Sequence, residues 1–229
     1  MLLEDVSRVL STKRSFMVSF MERYVLSQIH VARNEMLANQ ENFDRVIDFC
    51  LHTRQRIRTD ELRRAKRYFH SKFADINGYL ENDEWNNLQE VVYSPPTRVG
   101  VGQKIGSLIL EMLIHYGEAN HDIEPHLLVP IDTHVRRIFT DCLHLDNVPS
   151  VGEPTTSNRY QSFQELLATQ SAERIPRIVF DYLWFIGKVF CTKASGTRHR
   201  YSRGYRLCSM CWIKGFCVHE DKWTYEHDN

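Results

Sequence analysis

Two prolines and two glycines divide the middle of this chain and constrain what can form on either side. Ser94-Pro95-Pro96 closes an amphipathic piece, Asp83–Val92. Proline lacks the amide that a helix needs, and it pushes the preceding residue out of helical space. Four residues later Gly100-Val101-Gly102 leads into a strongly apolar run, Gly102–Tyr116, ended by Gly117. The pattern predicts two helices joined by a tight turn. Glycine allows such a turn and lets a ligand's backbone approach with no Cβ in the way. Lys104 follows the second glycine by two residues, and Asp132 opens the next periodic run in an Ile-Asp-Thr-His turn.

Helical periodicity dominates elsewhere, and no alternating strand pattern or internal repeat occurs. Glu4–Val25 carries apolar residues at helical spacing with a break near Ser11–Arg14, and Tyr24–Asn39 continues the pattern. Glu41–Arg56 shows a three-four spacing of Phe43, Val46, Ile47, Phe49 and Cys50. Thr59-Asp60-Glu61 reads as a capped helix start running to about Ala74, with Asn77-Gly78 closing it. Asp132–His144, Ser162–Thr169 and Ile175–Phe190 are also helical, and Asn147–Asn158 reads as an exposed connection. The expected class is all-α.

At 229 residues the chain can bury a full core as one larger domain or two small ones. It lacks any run of 18 apolar residues, so no membrane span is expected. The N-terminus is amphipathic and mixed in charge, unlike a secretory signal. A cytoplasmic protein is therefore expected, or a nuclear one in a cell with a nucleus. Net charge is zero, so overall charge does not advertise a nucleic-acid partner. Basic residues are nevertheless clustered. Eight Lys/Arg stand between Arg54 and Lys72 against two acids, and Lys193, Arg198, Arg200, Arg203 and Arg206 form a second patch without an acid. Either patch can be a solvated face or a surface for phosphates.

The residues around the glycine turn suit nucleotide chemistry. Leading amides at a helix N-terminus face outward at the positive end of its dipole and bind a phosphate oxygen without reading a base. Gly100, Val101 and Gly102 would form that cradle, although a Gly-x-Gly before a helix is often only a turn. Lys104 reads as a nucleophile made reactive by the dipole and partial burial, or as a snorkelling surface lysine. Asp132 can cap its helix. Cys191, Cys208, Cys211 and Cys217 follow C-x16-C-x2-C-x5-C, a thiolate set suited to structural zinc or an iron–sulfur cluster. A zinc ribbon uses two CxxC knuckles, and only one is present. Cys50 and Cys142 stand alone in apolar settings and read as small buried hydrophobes.

Taken together, GVGQK, the apolar helix and IDTHVRRI resemble the helix-hairpin-helix DNA glycosylases, especially their endonuclease III branch. There a Gly-Val-Gly-x-Lys hairpin supplies the catalytic lysine and a Val-Asp-Thr-His turn the catalytic aspartate, which puts Lys104 and Asp132 in those places. FIGKVFC, ending at Cys191, and LCSMCWIKGFC, through Cys217, resemble the same branch's cluster segment. The last three cysteines match its spacing, and the first gap is enlarged by Thr192–Leu207. The resemblance implies a [4Fe–4S] cluster on Cys191, Cys208, Cys211 and Cys217 in preference to zinc. It also implies that Lys193, Arg198, Arg200 and Arg203 lie on an enlarged DNA-contacting loop. Tyr24-Val-Leu-Ser-Gln28 is similar to the family's Leu-Ser-x-Gln segment, whose glutamine fills the gap left by an extruded base. Arg98-Val99 stands where the family has Leu-Pro. The match covers roughly Val99–Val218.

The resemblance further implies an architecture of two helical lobes with the DNA cleft between them. One lobe would be residues 25–125 with the hairpin at about 85–117. The other would be 1–24 with 126–229, ending in the cysteine loop. The implied activity is base-excision repair by a monomeric glycosylase with β-elimination lyase activity on double-stranded DNA carrying a damaged or mismatched base. Oxidised pyrimidines are the first expectation for substrate. The alternatives are a monofunctional glycosylase for adenine or mismatched uracil or thymine, a non-catalytic DNA-binding protein, and a zinc-bound interaction module.

Overall fold

The computed structural model describes residues 2–53, 58–96, 99, 101–117, 119, 122–171, 177–191 and 210–218. Among them every regular element is helical. None of the helices is long and apolar enough to cross a membrane. The chain divides into two compact units, Ser15–Pro130 and Met1–Arg14 with Ile131–Asn229.

In the first unit, α2 (Arg14–Phe20) runs through a π-helical stretch, Met21–Leu26, into the short α3 (Ser27–Ile29). The periodicity over 24–39 suggested a continuing helix, but His30 turns left-handed at φ 55° and stops it. α4 (Gln40–His52) is capped by the Asn39 side chain on the amide of Asn42, and it buries Phe43, Val46, Ile47, Cys50 and Leu51. α5 (Thr59–Ser71) packs on α4 and starts without a side-chain cap, so Thr59 is its first residue and not its cap. α6 (Phe73–Glu81) contains Asn77-Gly78 instead of ending there. α7 (Trp85–Tyr93) stops where Ser94-Pro95-Pro96 requires, and α8 (Gln103–Leu110) packs against it and α4.

That closeness explains Gly106. A Cβ there would stand 2.5 Å from the Val92 carbonyl oxygen and 2.9 Å from Tyr93 Cδ1. Backbone cannot yield as a flexible side chain does, so Gly106→Ala is expected to destabilise by about 2 kcal/mol and lower Tm by about 4–8 °C. Gly102→Ala is expected to cost less than about 1 kcal/mol, because its φ of −102° suits alanine and, among the described residues, no atom lies within 4 Å of the added Cβ. Thermal unfolding of both variants checks the contrast.

α8 passes into a π-helical turn, Glu111–His115. The segment after it folds back through a buried His115 Nδ1–Glu124 Oε1 contact of 2.6 Å. Tyr93 Oη accepts from the Leu128 amide at 3.2 Å and holds the same segment to α7.

In the second unit, α1 (Leu2–Ser11) buries Leu3, Val6 and Leu10 and packs on the 3-10 turn Arg177–Asp181. α9 (Thr133–Arg137) runs into a π-helical turn, Ile138–Cys142. α10 (Asn158–Thr169) starts four residues earlier than its apolar pattern suggests, because Ser157 caps the Tyr160 amide at 3.1 Å. Phe139 meets Phe163 edge-on at 5.1 Å and Phe180 at 6.1 Å in this unit's core. α11 (Tyr182–Val189) lies against α9 so closely that a Cβ on Gly187 would stand 2.9 Å from His134 Cβ.

Candidate functional site

Lys104 is the second residue of α8 and is exposed, so the partial burial expected for it is not found. The first intrahelical bonds run from the amides of Ile105 and Gly106 to the Gly102 carbonyl, at 3.0 and 3.2 Å. The helix's leading amides belong to the turn before those bonds, where an anion is best received. Gly102 is exposed, and among the described residues nothing occupies the space its missing Cβ would take. Gly106 and Gly187 are explained by internal packing; Gly102 is not, and its open side can admit an external backbone. Val101 is half-buried beside it.

Asp132 is buried at 3% exposure and belongs to the other unit. Its Oδ1 accepts from the amides of His134 at 2.8 Å and Val135 at 2.9 Å, which makes it the N-cap of α9. Capping places its carboxylate at the positive end of the helix. Gln28 is exposed on the last turn before the left-handed His30. Gly100, Lys193, Arg198, Arg200, Arg203 and Cys208 lie outside the described residues.

Four of the six described Lys/Arg of the first basic patch form ion pairs. Arg58 and Arg64 reach Asp60 at 3.5 and 3.1 Å, Lys66 reaches Asp48 at 2.7 Å, and Lys72 reaches Asp75 at 2.6 Å. A surface groove of about 270 Å³ lies there, lined by Asp44, Ile47, Asp48, Lys66, Arg67 and His70. It includes neither Lys104 nor Asp132. For the described part of this patch the solvated-face reading suits better than a phosphate track.

Cys142 and Cys191 are positioned by α9 and α11. Arg137 Nη2 donates to the Gly187 carbonyl at 2.7 Å and also to the carbonyl of Cys191, which fixes the chain just beyond α11. The segment 210–218 is anchored by Trp212, stacked on Phe185 at 5.3 Å and edge-on to Phe190 at 5.9 Å, and by Ile213, which is 1% exposed. Its last described residue, Val218, donates its amide to the Cys142 carbonyl at 3.1 Å.

Cys142 does not stand alone, as its place in the sequence suggested. Its Sγ lies 3.9 Å from Cys191 Sγ, and its thiol also interacts with Cys217. The Cys142 thiol hydrogen-bonds to Cys191 and lowers the Cys191 pKa to about 6, helped by the charge of Arg137 against the opposing effect of burial. The two sulfur contacts and burial push Cys142 itself upward. Cys50 is wholly buried, and burial raises its thiol as well. Neither Cys142 nor Arg137 could be found from local periodicity; both act across the α9–α11 packing. The described sulfurs suit a soft metal centre in donor chemistry. Among the described residues alone, no group of three His, Cys, Asp or Glu side chains encloses an ion.

No protein-family model matches the chain, and no curated protein or solved structure matches it either.

Proposed function

We propose that this protein is a DNA N-glycosylase with an associated strand-nicking lyase activity. The observation that carries the reading is the start of α8, where an exposed lysine follows a glycine whose missing side chain leaves open space at a helix N-terminus. The residues of the Gly-Val-Gly-x-Lys and Ile-Asp-Thr-His motifs support it jointly. Gly100, Val101 and Gly102 grip a phosphate without reading sequence. The target nucleotide is extruded from double-stranded DNA so that its sugar can be reached, and Gln28 fills the gap it leaves.

Lys104 Nζ then forms a bond to the anomeric carbon as the glycosidic bond breaks and the base departs with its electron pair. Asp132 stabilises the positive charge that develops on the sugar and takes part in removing the lysine proton. The sugar ring opens to a Schiff base on Lys104. Loss of the 2′ proton expels the 3′ phosphate and nicks the strand. The basic insert between Cys191 and Cys208 meets the backbone. The C-terminal cysteines hold a metal centre that shapes this region, a [4Fe–4S] cluster by family resemblance. Oxidised pyrimidines are the first substrate class to test.

A panel of duplexes, each with one lesion or mismatch, scored separately for base release and nicking, tests the proposal. Base release from at least one duplex with coincident nicking is expected. Tight binding to DNA with neither product on any duplex would leave a non-catalytic binding protein. Release without nicking would leave a monofunctional glycosylase.

A further inference from the structure

We propose that Phe16, Phe20 and Tyr24 form a column on which an unpaired nucleobase of a DNA strand stacks, at the Tyr24 end, with Ser19 and Arg23 meeting the strand's backbone. This rests on the reading that the protein binds DNA, and it adds single-stranded DNA to the ligands expected of it.

The three rings run parallel along α2 and the π-helical stretch after it. Phe16 and Phe20 stack at 6.4 Å with 12° between their planes, and Phe20 and Tyr24 at 5.2 Å with 13°. Phe16 is 49% exposed and Tyr24 61%, so the column stands at the surface. Aromatic side chains usually serve a core. Here the inward side is already taken by Met17, Met21, Val25 and Leu26, all buried. Core packing therefore does not account for the column. Among the described residues Phe20 is the one ring against Tyr24, so a base can extend the column at that end. Gln28, also exposed, is the next residue of the same four-residue row.

Charge suits a nucleic acid. Beside the column runs a second row at the same spacing, Ser15, Ser19, Arg23 and Ser27, all exposed. The Ser27 hydroxyl donates to the Arg23 carbonyl, and the remaining hydroxyls and the guanidinium are donors that a phosphate oxygen accepts. Glu22 is the one acid between Ser15 and Gln28. It lies two residues from both Phe20 and Tyr24, about half a turn away from the column.

Size decides between a base and a protein partner. An aromatic side chain covers about 150–250 Å², so the exposed parts of Phe16 and Tyr24 offer roughly 200 Å². A stable protein interface needs about 800 Å² from each partner. The patch is too small for a second chain, whereas bases stack on single rings and add affinity one at a time.

The test titrates the full chain with a single-stranded oligothymidylate and with a paired duplex of equal length, at several salt concentrations. A strand carrying iododeoxyuridine is also photocrosslinked to the unmutated chain and the adduct mapped by peptide mass. The crosslink is expected on Tyr24. Tyr24→Ala should weaken single-strand binding more than about fivefold with the salt dependence unchanged, because stacking releases no counterion. Tyr24→Phe keeps the ring and should keep the affinity. Arg23→Gln should instead flatten the plot of log affinity against log salt by about 0.7. The crosslink keeps the test decisive if a variant fails to fold. A crosslink mapped elsewhere, unaltered single-strand affinity in Tyr24→Ala, or a dimer that Tyr24→Ala dissolves would overturn the inference. Base release from a duplex by a chain that binds no single strand would overturn it and leave the glycosylase reading intact. Crosslinking at Tyr24 with no base release on any duplex would do the reverse.

Discussion

Replacing Lys104 by alanine is expected to abolish the covalent adduct that borohydride traps between the protein and DNA carrying an abasic site. Strand nicking should fall at least about 10³-fold, since no other group on the α8 turn can form the Schiff base. DNA binding should change little, because the proposed phosphate grip belongs to the glycines and backbone amides. Stability should also be almost unchanged, for Lys104 is exposed and alanine is the better helix former. Adduct formation that survives in Lys104→Ala would remove Lys104 as nucleophile. Lys104→Arg adds a second check: it keeps the positive charge but cannot form the imine, so it should bind DNA normally and trap nothing.

Asp132 offers the second large effect, and its observed role as a cap can be separated from its proposed catalytic role by the choice of substitution. Asn at position 132 retains an oxygen that can accept from the amides of His134 and Val135, so α9 should keep its cap. The charge is lost, and base release is expected to fall on the order of 10²-fold or more. Asp132→Ala loses both, and should add about 1 kcal/mol of destabilisation to the same catalytic defect. Thermal unfolding beside single-turnover base release distinguishes the roles. Asp132→Asn with unimpaired release would confine Asp132 to capping.

The helical class was legible from periodicity because amphipathic spacing reports which face each segment buries. The stop at Tyr93 was legible from Ser94-Pro95-Pro96 for a steric reason that needs no partner. Other boundaries were not. Asn77-Gly78 looked like a terminator, yet among the described residues nothing lies within 4 Å of a Cβ on Gly78, and it lies inside α6, where neighbouring helical residues carry it. The run over 24–39 looked continuous, but His30 adopts a left-handed conformation that apolar spacing cannot announce.

What the sequence determined by itself is what depends on residues within about one turn of each other. That covers the helical segments, the break before the glycine turn, Asp132 as a cap, and the candidate chemistry of Lys104 and the thiols. The tertiary structure alone decided which glycines serve packing and which leaves open space, and which sulfurs are neighbours. Gly106 and Gly102 sit four residues apart in one motif, and only the closeness of α7 distinguishes them. Cys142 and Cys191 lie 49 residues apart and meet because α9 and α11 pack through Gly187. The π-helical turn Ile138–Cys142 intervenes, and one extra residue in a turn rotates every later position by about 100°. A strict helical count from Asp132 therefore misplaces Cys142, and the pairing of two distant helices puts its sulfur against Cys191.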